Sequence, residues 1–506
     1  MQKRAWHKKM AAAVLALGLV VPAGALSAPV AVLAEEPAST PQQNSPNSHE
    51  ITLYQVFESL RELHWPKVDD DKLVHGAVQG MLEVLNDPYT EYFTANEYQN
   101  FVNSINQKYA GIGARMSQDD QGFLVEEVFA SSPAEAAGIK KGDRVLAVNG
   151  TDVTGKQLQE VTGMLRGEAG TSVTVTLRRQ GQAPFSVTVT RQQIQLPTLQ
   201  SSLLDEDTGY IRILSFSENA DSEFDKALAD LQEKGIRSLV LDVRGNGGGI
   251  MGPALNIADR FLKNGTLLEI RYRNGSQKYN ADSEGVDLPL VVLVDEESAS
   301  ASELLAGTLQ AHKRAKLVGS QSFGKGVLQR TENLANGYTL KFTVGQFYFA
   351  DGTSPQATGL KPDVPVKLQQ LQVPAALRTL YPDRERSVTF DLANQKTYVD
   401  RIEITDQKTV DKNGTKYLPL RLVAEALGSE VVWDGSQQSI SFQYGGRAVK
   451  LHVPTGKFLV NDEDKAYQEP FFVESGVTYV SLEALKEAFK SAQWQIGSEK
   501  IVVKGI

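Results

Sequence analysis

Residues 298–329 open with Ser298-Ala299-Ser300-Ala301-Ser302-Glu303, continue as an apolar helical run, and close with Gly319-Ser-Gln-Ser-Phe-Gly324-Lys325-Gly326-Val-Leu-Gln329. Just upstream, residues 290–294 form a short apolar, β-branched run that ends at Asp295, the pattern of a buried strand. Strand, polar turn, small residues and helix, in that order, place Ser300 where a helix begins. Exposed N–H groups and the helix dipole favour developing negative charge there. A serine with such a setting and a nearby base is equipped for nucleophilic acyl transfer.

Ser300 alone does not decide the matter. Ser300-x-x-Glu303 also fits a capping box, and most serines at helix starts are only caps. Lys325 shifts the balance. Most lysines are solvated, but the flanking Gly324 and Gly326 permit the close backbone approach that suits an inward lysine. Burial lowers a lysine pKa toward a neutral, proton-accepting amine. A serine–lysine pair is a variant of the serine-nucleophile plan.

Taken together, Ser-Ala-Ser-Ala-Ser-Glu followed by Gly-Lys-Gly-x-x-Gln resembles the carboxyl-terminal processing peptidases, or tail-specific proteases. The resemblance implies Ser300 as nucleophile, Lys325, 25 residues later, as base, and Gln329 as the residue that orients the lysine. The turn Arg244-Gly-Asn-Gly-Gly-Gly249 resembles the family's Asp-Leu-Arg-x-Asn-Pro-Gly-Gly turn, with Gly247 where the family usually has proline. It implies an oxyanion hole from the N–H groups of Gly248 and Ala301. Asp242 and Arg244 are expected to brace this turn. It lacks the Gly-Lys-Ser/Thr ending of a nucleotide loop. Gly359-Leu-Lys-Pro-Asp-Val364 matches the family's closing motif.

Composition sets outer limits. A chain of 506 residues is too long for one core, so several domains are expected. A net charge of −9 supplies no basic footprint for nucleic acid. With no cysteine, disulfides and thiolate metal sites are excluded. The six histidines form no His-x-x-x-His pair, so neither a metal nor any other cofactor is expected.

In chain order, residues 1–34 are basic, then apolar, and read as a secretory signal peptide with a small-residue site at Val32-Leu33-Ala34. Export to the cell envelope or beyond follows, with membrane anchoring as the alternative if the segment is retained. Residues 35–50, rich in Pro, Ser, Gln and Asn, read as a linker. Residues 51–108 are helical by period. Their Asp87-Pro-Tyr-Thr-Glu-Tyr-Phe93 run resembles the family's N-terminal helical segment, which implies a homodimer. Residues 109–192 alternate like half-buried strands. Pro-Ala-x-x-Ala-Gly138 and Gly142-Asp-x-Val-x-x-Val-Asn-Gly150 resemble a PDZ domain.

In that region Gly111, Ile112, Gly113 and Ala114 can turn successive N–H groups toward a carboxylate, beside a strand edge open to peptide addition. Arg166 is a candidate contact to the bound tail or to the protease core, or a solvated arginine. Residues 193–372 alternate strand and helix, an α/β core, and 373–394 read as a linker. Residues 395–506 carry a repeat: Tyr417 and Trp433 recur as Tyr479 and Trp494, 62 and 61 residues on. Each unit reads as strand, helix, strand with core aromatics. The pattern resembles the copper amine oxidase N-terminal-like, or stalk, domain, without a copper ligand cluster.

The expected fold class is therefore multidomain α/β and α+β: a helical segment, a PDZ domain, an α/β serine-protease core and a repeated strand–helix–strand domain. The expected function is an exported serine endopeptidase that takes protein C-terminal tails as substrates, with a cell-wall or regulatory protein as a possible partner. Two alternatives stand beside it. One is a catalytically silent PDZ/stalk scaffold of the cell envelope. The other is a Ser–His–Asp hydrolase using His312, although His312 lies 12 residues along the same helix, about 18 Å from Ser300.

Overall fold

The structure, a computed structural model, describes residues 18–19, 48–405 and 407–505. The leader read over 1–34 and the linker read over 35–50 lie largely outside the described residues. No helix among the described residues is long and apolar enough to cross a membrane.

Helices α1 (Ser48–Leu63) and α2 (Asp70–Leu85) lead the described chain, and neither buries a residue. Large apolar side chains on them stay open, Tyr54, Leu63 and Val84, as does Trp65 between them. Asn86 closes α2 in the left-handed conformation, and strand β1 (Glu91–Phe93) and helix α3 (Ala95–Ile105) follow. Thr94 and Glu97 form a reciprocal capping box at the start of α3.

The next unit is a sheet in the order β2 (Ala114–Asp119), β3 (Gly122–Val128), β4 (Arg144–Val148), β5 (Ser172–Arg178), β6 (Phe185–Thr190), with helix α4 (Leu158–Leu165) against it. Alternation does the work here. On β5, Val173, Val175 and Leu177 point into a core with Phe123, Val125, Val161 and Leu165 while their neighbours face out. The segments entering and leaving, Lys108–Gly111 and Gln192–Gln195, pair antiparallel and close the unit.

The central layer is a sheet ordered β7 (Leu199–Leu203), β8 (Thr208–Ile213), β9 (Ser238–Asp242), β11 (Leu290–Val294), β12 (Lys316–Gly319), β15 (Val364–Pro365), parallel except for β7. β9 and β11 are buried at every residue, as strands covered on both faces must be. Leu239, Leu241, Val292 and Val294 face helices α5 (Ala220–Glu233), α6 (Met251–Asp259) and α7 (Ala301–Ala311). Val240, Val291 and Leu293 face helix α8 (Gln369–Leu380) through Ala376. A second sheet runs β13 (Val327–Asn333), β14 (Thr339–Tyr348), β10 (Thr266–Tyr272) and Gly275–Asn280. β1 adds to β14, with Lys341 opposite Glu91, so the N-terminal segment is stitched into the central unit. Gly18–Leu19 pairs in parallel with β13 at Gln329 and Arg330.

Residues 373–394 are not a linker. α8 occupies their first part, with Leu371, Ala376 and Leu377 buried, and the strand Ser387–Asp391 occupies their end. Pro374 disguised the helix, because a proline inside it removes one backbone donor. Val388 and Phe390 belong to the C-terminal core, so that unit starts before residue 395.

In the C-terminal unit the repeats Thr415–Pro419/Leu420–Ala426 and Val477–Ser481/Leu482–Ala488 are each strand then helix, and their strands pair antiparallel. Tyr417 is buried, but Trp433 is 50% exposed rather than core. It borders an apolar groove with Leu420, Val431, Ile440 and Val473.

Candidate active site

Parallel strands deliver ligands to their carboxyl ends, and β9 and β11 end side by side at the two loops that matter. After β9, Asn246 ties the turn together. Its Nδ2 donates to Ile213 O at 3.0 Å, and its backbone oxygen accepts Ala299 N at 3.1 Å and Ser302 Oγ at 2.7 Å. Asp242 accepts Tyr210 Oη at 2.5 Å and two Arg244 nitrogens, and Asp295 accepts the Gly245 N–H. Burial, with Asp242 adjacent, raises the Tyr210 pKa. These side chains brace the turn.

After β11, Ser300 begins α7 with φ +59° and ψ −112°. Positive φ on a residue with a Cβ costs free energy and survives only where the surroundings impose it. Ser300 is wholly buried, and its Oγ has no hydrogen-bond partner among the described residues. Gly248 lies directly beside it: a Cβ there would stand 2.8 Å from Ser300 Cβ and Ala299 O, and 3.0 Å from Ala301 N, at φ +108°. Only glycine fits that approach.

Lys325 is 1% exposed. Burial, reinforced by the nearby Lys341 ammonium, pushes its pKa down to about 7. The Tyr89 ring lies 4.7 Å from its Nζ. Gln329, on β13, is also wholly buried, with Nε2 donating to Thr343 Oγ1 at 3.2 Å and Oε1 without a partner among the described residues.

The two loops are joined by Glu303. Its Oε2 accepts the Ser300 N–H at 2.9 Å and the Lys325 N–H at 2.7 Å. Its Oε1 accepts Ser322 Oγ at 2.6 Å and the Gly324 N–H at 2.7 Å. Burial raises the Glu303 pKa while these donors pull it back. The sequence marks Glu303 only as a cap, yet a carboxylate within a helix of small and apolar residues must find partners. Asn246 and Tyr89 lie inside motifs already noted but without a role assigned, and Lys341 lies in none.

Gly248 thus lies against Ser300 and Ala301, Glu303 ties the Ser300 and Lys325 backbones together, and Gln329 is buried four residues beyond Lys325; Ser300 Oγ makes no hydrogen bond to the Lys325 amine. The Gly248 N–H, however, donates to Asn246 Oδ1 at 2.9 Å, so it can act on an oxyanion only by sharing or releasing that bond. Ala301 N–H sits at the first helical position, beyond reach of its own helix's carbonyls. His312 caps the far end of α7, with Nε2 at 2.9 Å from Thr266 O.

Gly111, Ile112, Gly113 and Ala114 are set apart, at the start of β2. Gly113 has φ +82°, and a Cβ there would meet Ser132 Cβ at 2.4 Å. The carbonyls of Ile112 and Gly113 accept Ala134 and Phe129 N–H. A trans peptide sets N–H opposite C=O, so the Gly113 and Ala114 N–H groups point away from those contacts. Exposed Arg166 follows α4, its guanidinium 5.2 Å from the Tyr109 ring.

Four family models match the chain: peptidase family S41 over residues 207–366, a PDZ domain over 124–179, the activating protease CtpB N-terminal domain over 27–97, and the copper amine oxidase N-terminal domain over 394–503. Among curated relatives, the carboxy-terminal processing protease CtpA of Bacillus subtilis is 36% identical over 319 residues, 62% of this chain and 68% of the relative. CtpB of the same organism is 35% identical, covering 62% of this chain and 66% of the relative. A carboxy-terminal-processing protease of Bartonella bacilliformis is 32% identical, covering 68% of this chain and 80% of the relative. Among solved structures, a photosystem II D1 C-terminal processing protease is 27% identical, covering 67% of this chain and 98% of that one, at a TM-score of 0.41.

Proposed function

The chain belongs to the carboxy-terminal processing proteases of peptidase family S41, serine endopeptidases with a PDZ domain, and from that premise we propose that it cuts proteins presented by their C-terminal tails with a Ser300–Lys325 dyad. The observation that carries this reading is the Glu303 carboxylate, which holds the Ser300 and Lys325 backbones on a single oxygen.

A tail carboxylate docks on the N–H groups of residues 111–114, with the chain upstream laid across Ser300. Neutral Lys325 takes the Ser300 proton as Oγ attacks the scissile carbonyl. Gln329 Oε1 holds the lysine in line. N–H groups of Ala301 and the Gly248 turn stabilise the oxyanion, each donor worth roughly 10²–10³ in rate. The proton then passes to the leaving amine, and water releases the acyl group. Arg166 stands near enough to the 111–114 turn to contact the bound tail.

The scaffold alternative falls away, since the relatives are named proteases and the serine, lysine and glutamine are all present. The apolar side chains left open on α1 and α2 suit a homodimer contact, and the basic-then-apolar N-terminus suits export. Incubation of the protein with casein, read by mass spectrometry, tests the dyad. Ser300→Ala and Lys325→Ala should each abolish cleavage while tail binding persists. Cleavage by the Lys325→Ala protein would reject the dyad.

A further inference from the structure

Helix α8 belongs to two cores at once. Its Ala376 packs under the central sheet with Val240, Val291 and Leu293, whereas its Leu371 joins the C-terminal core with Val388, Phe390 and Leu420. Arg378 of the same helix donates through Nε to Asp400 Oδ2 at 2.6 Å, which ties α8 again to the C-terminal unit. Gln372 sits between these anchors and is 2% exposed. Its Oε1 accepts Arg244 Nη1 at 2.9 Å, from the turn after β9, and the Gln369 carbonyl accepts the same nitrogen at 3.3 Å. Its Nε2 donates to Val366 O at 3.1 Å. The Val366 N–H in turn donates to Gly319 O at 2.8 Å, where the loop leading to Lys325 begins.

We propose that Gln372 is a positioning residue for the oxyanion turn, and that through it the C-terminal unit becomes part of the framework on which catalysis depends. Asp242 takes Arg244 Nε at 2.9 Å and Nη2 at 2.6 Å, a two-pronged pair within one turn. That pair fixes the guanidinium to its own strand and turn and to nothing else. Among the described residues, the guanidinium's hydrogen bonds beyond the turn go to Gln372 and the Gln369 carbonyl. Beyond Arg244 the turn is held through Gly245 on Asp295 and Asn246 on Ile213, and it ends at Gly248 against Ser300. Arg244 is therefore the point at which α8 grips the turn. A buried amide costs free energy unless both its ends are paired, and a leucine or methionine would fill the space without that demand. Gln372 has both ends paired, one to each of the loops that flank the serine.

The inference rests on the proposed function, with the Gly248 turn facing the oxyanion, and the test separates the two ideas. Casein cleavage is measured on the full chain for the wild type, Gln372→Met, Gln372→Glu and Ser300→Ala. Binding of a fluorescent peptide copied from the casein C-terminus is followed by anisotropy. Gln372→Met keeps the shape and removes the acceptor; it should lower kcat about tenfold, with KM and peptide affinity within about twofold of wild type. Gln372→Glu restores an acceptor for Arg244 and gives up only the donor to Val366, so its kcat should return to within about threefold of wild type. A purely structural glutamine would lower Tm in both variants and leave kcat untouched below the melt. If Gln372→Met does not fold, Gln372→Asn keeps the amide but draws the acceptor back by one methylene, and its kcat should fall in the same way. A wild-type kcat in the folded Met or Asn variant, or an equal loss in Met and Glu, overturns the proposal. Cleavage by Ser300→Ala would instead overturn the serine chemistry beneath it.

Discussion

Glu303 accepts the Lys325 backbone N–H at 2.7 Å on the same oxygen that accepts the Ser300 N–H. The distance between the two candidate catalytic loops is therefore set by one carboxylate. Glu303→Ala leaves four buried donors without an acceptor, each costing about 1–3 kcal/mol. A displacement of about 1 Å at a reacting pair costs roughly 10²-fold. Glu303→Ala should lower kcat by at least that factor and lower Tm clearly. Glu303→Gln, with one carbonyl oxygen left, should fall between. Peptide cleavage and thermal melts check both.

The buried Lys325 should cost the fold stability. Its pKa is about 7 when folded against an ordinary value of 10.5. Between those values the unfolded chain binds more protons, so this residue makes stability rise with pH across that window, with no further change below it. Lys325→Met removes the effect. Its Tm should exceed that of the wild type by a margin that is largest at pH 7 and below and shrinks toward pH 10.5. A margin independent of pH would contradict the account. The same titration places the rising limb of the wild-type pH–rate profile near pH 7.

Gly248→Ala places a Cβ 2.8 Å from both Ser300 Cβ and Ala299 O, at a φ of +108°. Neither neighbour is the free end of a flexible side chain. The turn must shift, and with it the N–H groups offered to an oxyanion. We expect kcat to fall by about 10² or more while tail binding, measured by fluorescence anisotropy, is unchanged.

His312→Ala should leave kcat unchanged. The ring serves Thr266 O at the far end of α7, and its loss should cost about 1 kcal/mol of stability. A collapse of kcat without loss of fold would revive a histidine mechanism.

The sequence is most informative where chemistry is packed into a short motif. Ser300, Lys325 and Gln329 lie within 30 residues of one another, and their spacing is readable. The strands at 238–242 and 290–294 are legible because burial on both faces demands unbroken apolar runs. Legibility fails where a role depends on contacts distant in sequence. Glu303 is a cap by local pattern and a four-donor acceptor only once the 319–326 loop folds over it. Lys341 is an ordinary strand lysine until Glu91 arrives from 250 residues away. Pro374 hid a helix that tertiary packing on Val291 and Leu293 sustains. Trp433 had the look of core but borders a groove.

The pairing of β1 with β14 bears on how the enzyme can be dissected. A recombinant fragment begun at residue 94 would keep every dyad residue. It would also strip the aromatic face from the base, strand a cation inside the sheet, and leave β14 with a naked, aggregation-prone margin. The smallest autonomous protease in this chain therefore starts upstream of Asp87, within what would pass for a mere assembly appendage.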